Sequence, residues 1–419
     1  MGSFMRGSAG MSAQPRRKKL RLRMAWLLGL YFLMSCAPLL AQSPVVYGPE
    51  LAHLPQVEAG FACFYAMNYA CAQKDFGAVS ASHPGDPVAG AFLLNSMVFE
   101  ELNRLDLLDT TFYNTNGFLT GNHLVKENPQ TSAAILSLAD QVVAEASVQL
   151  KQNPNNLDAL FARGWARALE ATYIAMAERH FGHAFHLAMD ARSDSQHVLN
   201  LDEHYSDAKL VVGVYQYVMG ALPWEFKLLL GFAGMHGSKT QGMELLIEDA
   251  KYGWVTNVEA QTARMLFLRR EAHYGEAIKI AQQMVSLYPH NYLFSLEMAN
   301  LEKDKGLGMT AVYAYQHTLA LANQAGYFES AHLELAYFGL GEALRGQNHF
   351  ADAITAYKNA IAVAAVSPEL KQRCWLGIGK TYDMAQNHVQ AIEAYHKVIA
   401  LGANSVEADK ARQYLHSPY

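Results

Sequence analysis

The chain of 419 residues is 51% hydrophobic and 11% aromatic with only 13 prolines, which excludes a disordered polypeptide and leaves material for one long core or several stacked units. Its formal charge of -5 hides an asymmetry: the first 41 residues hold seven bases and no acid, so the remainder carries 26 bases against 38 acids, a charge of -12. So acidic a domain is unsuited to phosphate backbones, which need paired Lys and Arg, and nucleic acid is excluded as a partner.

The N-terminus reads as an export signal. A basic cluster from Arg16 to Arg23 precedes the apolar run Met24 to Leu40, the order of charged start, apolar middle and small end that secretion requires. Residues 1–41 are therefore predicted to be a signal peptide cut after Ala41. Cleavage before Cys36, in Leu33-Met34-Ser35-Cys36, would instead leave a lipid anchor at that cysteine. An uncleaved anchor is the third reading, since the run is about 17 residues, the short limit for crossing a bilayer. Membrane contact is expected only through this segment or a lipid at Cys36, and the location is exported, periplasmic or outer-membrane associated. The mature chain keeps Cys63, Cys71 and Cys374. On one helix Cys63 and Cys71 stand about 12 Å apart, too far to pair unless the helix breaks between them. All three are expected to be small buried hydrophobes.

Residues 42–56, with Pro44, Pro49 and Pro55, read as a linker, and order is expected from Val57. Phe61, Phe64, Met67 and Tyr69 predict one helix running to the Ser82–Pro87 turn, where two prolines stop it. Leu93, Leu94, Met97, Val98, Leu102 and Leu105 predict a second. Residues 108–131, rich in Thr, Asn and Gly, read as a long loop and a candidate functional segment. Helical periodicity resumes at Ser132 and halts at Asn153-Pro154-Asn155-Asn156. Gly164 follows Pro154 by ten residues, and Gly213 follows Glu203 by the same step.

From residue 257 the pattern becomes regular. Ala277, Ala281, Met284 and Pro289 mark one unit, and Ala299, Ala311 and Tyr315 the next. The fullest copies are Tyr337, Leu340, Gly341, Leu344, Ala353, Tyr357, Ala360, and then Trp375, Ile378, Gly379, Tyr382, Ala391, Tyr395. A hairpin whose helices nearly touch needs small residues at the crossing and large ones around it, which Gly341 with Ala353 and Tyr337 with Tyr357 supply. Such a hairpin cannot bury its apolar face alone, so neighbours must stack.

These residues match W-x2-L-G-x2-Y followed by A-x3-F, and the chain resembles secreted bacterial tetratricopeptide repeat (TPR) proteins, most closely over 332–401. Gly164 and Gly213 lie 49 residues apart instead of about 34, so those units must have longer helices or an insertion. The resemblance implies an all-α fold, a right-handed superhelical solenoid of TPR-like helical hairpins. It divides the chain into a divergent TPR-like region at 57–256, a regular array at 257–403 and a C-terminal capping helix at 404–419. In the family the first helix of each pair lines a concave groove, which places partner binding on Phe338, Glu342, Arg345, Arg373, Lys380 and Asp383. Their mixed charge suits a protein or peptide partner. The implied function is a non-enzymatic protein–protein interaction scaffold of the bacterial cell envelope, without a cofactor.

His180, His183 and His186 offer a metal-binding periplasmic protein as the alternative, because histidines three apart share a helix face. The third rotates by about a further 60°, and no HExxH pattern occurs. Gly234 to Thr240 imitates a phosphate loop, but Ala233 and Ser238 occupy its two glycine places. No G-x-S-x-G elbow and no cysteine in a catalytic setting is found.

Overall fold

The computed structural model describes residues 48–113, 128–229 and 234–419, the side chains of Phe112, Tyr113, Phe226 and Leu229 excepted. The signal segment 1–41, residues 42–47 of the linker and the centre of the 108–131 loop lie outside the described residues. Those described form helices and no strand. A short turn, Glu50–His53, leads into α1 (Pro55–Tyr65), α2 (Tyr69–Ser82) and α3 (Pro87–Arg104). Then come α4 (Pro129–Gln152), α5 (Leu157–Tyr173), α6 (Phe181–Leu201), α7 (Lys209–Ala221), the short α8 (Trp224–Leu229) and α9 (Lys239–Tyr252). The remainder are α10 (Asn257–Arg270), α11 (Tyr274–Leu287), α12 (Tyr292–Asp304), α13 (Gly308–Ala322), α14 (Leu333–Gly346), α15 (Phe350–Ala362), α16 (Pro368–Met384), α17 (His388–Leu401) and α18 (Val406–His416). Helices adjacent in sequence pack as antiparallel pairs: α1 with α2, α5 with α6, α7 with α9, then α10–α11, α12–α13, α14–α15 and α16–α17, with α18 closing against α17. The fold is an all-α stack of helical hairpins.

One turn geometry recurs between paired helices. Met67, Ala272, Gly306, Asn348 and Gln386 all have left-handed φ values between 59° and 83°. The amide that follows each bonds back to a carbonyl five residues earlier, as from Asn68 to Cys63 (2.9 Å), His273 to Leu268 (2.8 Å) and Asn387 to Tyr382 (2.8 Å). This is the Schellman ending, which satisfies otherwise orphaned helix carbonyls. It also corrects two expectations. The single helix expected from Val57 to Ser82 is two, because Met67 turns left-handed and the Asn68 side chain caps α2 at the Cys71 amide (3.1 Å). The reversal sets the Cα atoms of Cys63 and Cys71 5.7 Å apart, and they form a disulfide; among the described residues Cys374 is the one free cysteine, and it is buried. The linker reading also ends early. Ala52 is already buried and the His53 ring lies 4.4 Å from Trp254.

The stacking itself depends on glycine. A Cβ on Gly341 would lie 2.6 Å from the Tyr357 ring within its own hairpin, and one on Gly377, in the next hairpin, 2.7 Å from the same ring. Gly379 faces Tyr395 and Gly339 faces Tyr315 in the same manner, at 2.3 and 2.5 Å. In each Gly-x-Gly, therefore, the first glycine receives the preceding unit's tyrosine and the second receives its own. In the earlier pairs Gly164 lies against the Ala191 carbonyl and Gly213 against that of Gly242. The wide spacing between them is absorbed by the long α6 and by a π-helical turn, Ile174–Glu178, at the end of α5.

The N-terminal hairpin docks onto the regular array. Asn291 donates to the Tyr65 carbonyl (2.8 Å), Ser330 to that of Met67 (3.2 Å), and Asn103 to that of Ser330 (3.4 Å). At the turn before α10, the buried Asp207 carboxylate accepts the amides of Trp254, Val255 and Thr256 at 2.8–2.9 Å. A buried ionic junction forms at His332, whose Nδ1 lies 2.5 Å from Asp106 Oδ1 and 2.9 Å from Glu334 Oε1. Tyr292 closes the junction by donating its hydroxyl to the His332 carbonyl. Burial alone would lower the His332 pKa, but the two carboxylates outweigh it and raise it from 6.5 to about 10.

Ala272 holds a conformation that costs a residue with a Cβ about 1 kcal/mol or more, so Ala272→Gly is expected to stabilise the fold by roughly that amount. Gly379→Val, overpacked against Tyr395, is expected to cost about 3 kcal/mol. Urea unfolding of the two variants beside the native chain checks both signs. For His332 the folded pKa lies above the unfolded one, so its contribution is complete below pH 6.5 and fades as the pH rises toward about 10. The stability gap between the native chain and His332→Asn should close across that window. A gap constant from pH 6 to 10 would show that the junction does not titrate there.

Candidate partner-binding surface

The helices expected to line the groove are the first of each regular pair: α10, α12, α14 and α16. On α10 and α12 that face is covered from within. The Tyr65 hydroxyl donates to Glu259 (3.1 Å), whose carboxyl burial pushes up to about 7. Arg269, with its side chain 1% exposed, reaches Asp304 (2.5 Å), Glu297 (3.2 Å) and, from the segment after α3, Thr110 (2.7 Å). Asn300 completes the contact by donating to Asp109 (3.5 Å).

On α14 and α16 the six predicted residues fall into two contacting groups. Arg373 lies over the Phe338 ring at 4.4 Å, and that ring tilts against Tyr357. Glu342 anchors Arg345 (2.6 Å) and accepts the Tyr357 hydroxyl (2.5 Å). Burial would raise the Glu342 pKa, but Arg345 and the Tyr357 hydrogen bond hold it below its ordinary value. Asp383 is the more deeply buried acceptor, its side chain 1% exposed against 30% for Glu342, bonded to the Tyr395 hydroxyl (2.7 Å) and 2.7 Å from the His388 ring. Glu342 and Asp383 thus serve the fold before they serve any partner. Their sequence signal is the tyrosine on the second helix, whose buried hydroxyl needs an acceptor on the first.

Three of the six converge on a residue the sequence reading did not single out. Tyr419 donates its backbone amide to Asp383 (3.0 Å), its hydroxyl lies 3.5 Å from Arg345 Nη1, and Lys380 stands over its ring at 4.6 Å. The ring also meets Tyr414 of α18 edge-on at 5.3 Å. Lys380 is held below its ordinary pKa chiefly by burial. The only advance notice of this arrangement was Pro418, which ends any helix and turns the last residues away from α18.

The alternative histidine site is not assembled. His180 caps α6 with its side chain 72% exposed, and His183 and His186 are exposed on successive turns of that helix. Each step of three residues rotates the face by 60°, and neither convergent donor group among the described residues includes any of the three. The phosphate-loop imitation is also answered where it is described: Lys239 begins α9 and pairs with Glu271 at 2.9 Å.

No protein-family model matches the sequence, and none of the curated proteins does. Among solved structures the chain is similar to yeast Tom70, at 11% identity over 85% of this chain and 87% of that one, with a TM-score of 0.41. It is also similar to the APC/C hetero-tetramer Cut9–Hcn1, at 15% identity over 94% and 81% of the two chains, with a TM-score of 0.39. A third is a tetratricopeptide repeat protein from Parabacteroides merdae, at 13% identity over 77% and 97%, with a TM-score of 0.33. The chain's own geometry carries the tetratricopeptide-type fold: glycine against tyrosine at the crossings of α14 and α16, and one left-handed turn per hairpin.

Proposed function

We propose that this chain is a non-enzymatic scaffold of the bacterial cell envelope that binds a partner polypeptide on the face formed by α14 and α16. The single observation that carries the reading is that a polypeptide segment already lies there, with the Tyr419 amide on Asp383 and its ring between Arg345 and Lys380. A backbone N–H, an aromatic ring and a hydroxyl are each met by a complementary group. That is how a groove reads an extended peptide. Residues 417–419 act in this reading as an internal stand-in that a partner displaces. Tyr419 stays 48% exposed, as a replaceable occupant should.

Export is supported by the basic and apolar order of residues 16–40 and by the Cys63–Cys71 disulfide, which suits an oxidising compartment. The location is then periplasmic or outer-membrane associated. The contacts holding Tyr419 are partly exposed cation–π pairs, each worth about 0.5–1 kcal/mol. Removing both, about 1–2 kcal/mol, should free the face by a factor of roughly five to thirty.

Crosslinking capture from a bacterial envelope, with the full chain as bait, tests this. Tyr419→Ala is expected to raise capture of the same partner roughly five- to thirtyfold, and Lys380→Glu to abolish it, with the helical circular dichroism unchanged in both. Equal capture by all three baits would remove the α14–α16 face from consideration.

A further inference from the structure

A second site lies elsewhere in the stack, in the pair α5–α6 and the facing side of α4, and it shares no residue with the α14–α16 face. Here a cavity of about 440 Å³ opens between the three helices. Leu136, Val143, Ile174 and Leu187 supply apolar wall, and Asp140, Glu170, Glu178 and Asp190 supply four carboxyls. The lining cation Arg167 is held by Asp194 at 2.6 Å, and His183 stands exposed at the rim. The cavity is therefore strongly acidic with greasy sides.

The informative residue is Glu170. The residue is 8% exposed and lines the cavity, and no hydrogen bond or ion pair to its carboxylate forms among the described residues, so its oxygens open on the cavity. A mostly buried carboxyl without a protein partner is costly unless something in the cavity meets it. Burial first, then the nearby Asp140 charge, pushes it up to about 7, with Arg167 opposing. The π-helical turn contributes as well: its wider coil leaves Ile174 and Glu178, four residues apart, both lining the cavity. Turns of this kind inside α-helices are common at functional sites. Glu178 is steadied there by the Ser132 hydroxyl at 3.2 Å.

We propose that this cavity binds an alkylammonium group, an aliphatic chain ending in a primary amine, with Glu170 as its principal counter-charge. An ammonium is a rotatable point cation that several dispersed carboxylates can share, and its methylene stem suits the Leu136, Val143, Ile174 and Leu187 walls. A metal ion fits less well, because no three of these lining donors come within 4.8 Å of one another. The amine could arrive on a small molecule or on a lysine side chain of a polypeptide, and both present the same chemistry.

The test is calorimetric titration of the full mature chain with two probes, 1,5-diaminopentane and the capped peptide Gly-Gly-Lys-Gly-Gly, the latter also with its lysine acetylated. Saturable binding is expected for at least one amine and none for the acetylated peptide. Glu170→Gln should weaken it roughly tenfold, the loss of one charge-assisted hydrogen bond. Diamine binding without peptide binding assigns a small-molecule ligand; peptide binding assigns a lysine side chain. Should Glu170→Gln fail to fold, the exposed Asp140→Lys decides, since it alters the rim alone and is expected to weaken binding as well. The proposal is overturned if neither amine saturates at millimolar concentration, or if folded Glu170→Gln and Asp140→Lys chains bind as the native chain does.

Discussion

The constraint on which the regular array depends is the burial of a large tyrosine against glycine: Tyr357 lies between Gly341 and Gly377, Tyr315 meets Gly339, and Tyr395 meets Gly379. Tyr315, Tyr357 and Tyr395 are fully buried, and the space for each ring exists only because the facing helices carry no side chain there. The ring brings a hydroxyl with it, and a buried hydroxyl must find an acceptor. Tyr315 finds Asn300, Tyr357 finds Glu342, and Tyr395 finds Asp383. All three acceptors lie on first helices of their pairs. Packing in the interior therefore dictates which polar groups stand on the face that the proposed partner would meet. Arg345 follows from the same logic, since it pairs with the Glu342 that Tyr357 requires.

This explains what the sequence could and could not reveal. Gly341 with Tyr357 and Gly379 with Tyr395 were legible because both members lie in one hairpin at a fixed spacing. Gly339 and Gly377 were not recognised, because the ring that each receives belongs to the preceding hairpin, and no spacing within one unit signals it. The break between α1 and α2 was missed for a different reason. Ala66-Met67-Asn68 contains no glycine or proline, and the left-handed residue is a methionine; only Asn68, a good helix cap, hinted at it. The disulfide was lost with that break. Reading through a turn of this kind turns an 8-residue separation into a rise along one helix, when it is in fact a crossing between two.

The docking of the N-terminal hairpin was beyond sequence reasoning altogether. Tyr65 meets Glu259 across 194 residues, and Met67 meets Ser330 across 263. Contacts at such separation leave no periodic trace. Their physical signature is instead the polar residues they neutralise: Arg269, Glu297 and Asp304 would be an unreasonable set to bury without one another and without Thr110. A charged cluster on the groove side of a repeat helix can thus indicate an internal contact as readily as a partner site, and composition alone does not separate the two.

Magnitudes do separate them. Removing one member of a buried, hydrogen-bonded ion network such as that around Arg269 costs about 3–5 kcal/mol, because the remaining charges are left buried and unpaired. The faces of α10 and α12 are therefore held closed by more free energy than an ordinary peptide contact could return. Tyr419 is retained by far less: two cation–π contacts and a hydrogen bond on a ring that water still reaches. Its amide–Asp383 bond is also one that any extended peptide backbone can reproduce, so exchange leaves no buried acceptor unmet. A face that is both complementary to polypeptide and weakly closed can exchange its occupant. Of the four first-helix faces, those of α14 and α16 meet both conditions, and the reading of this chain as a peptide-binding scaffold rests on that difference in exposure.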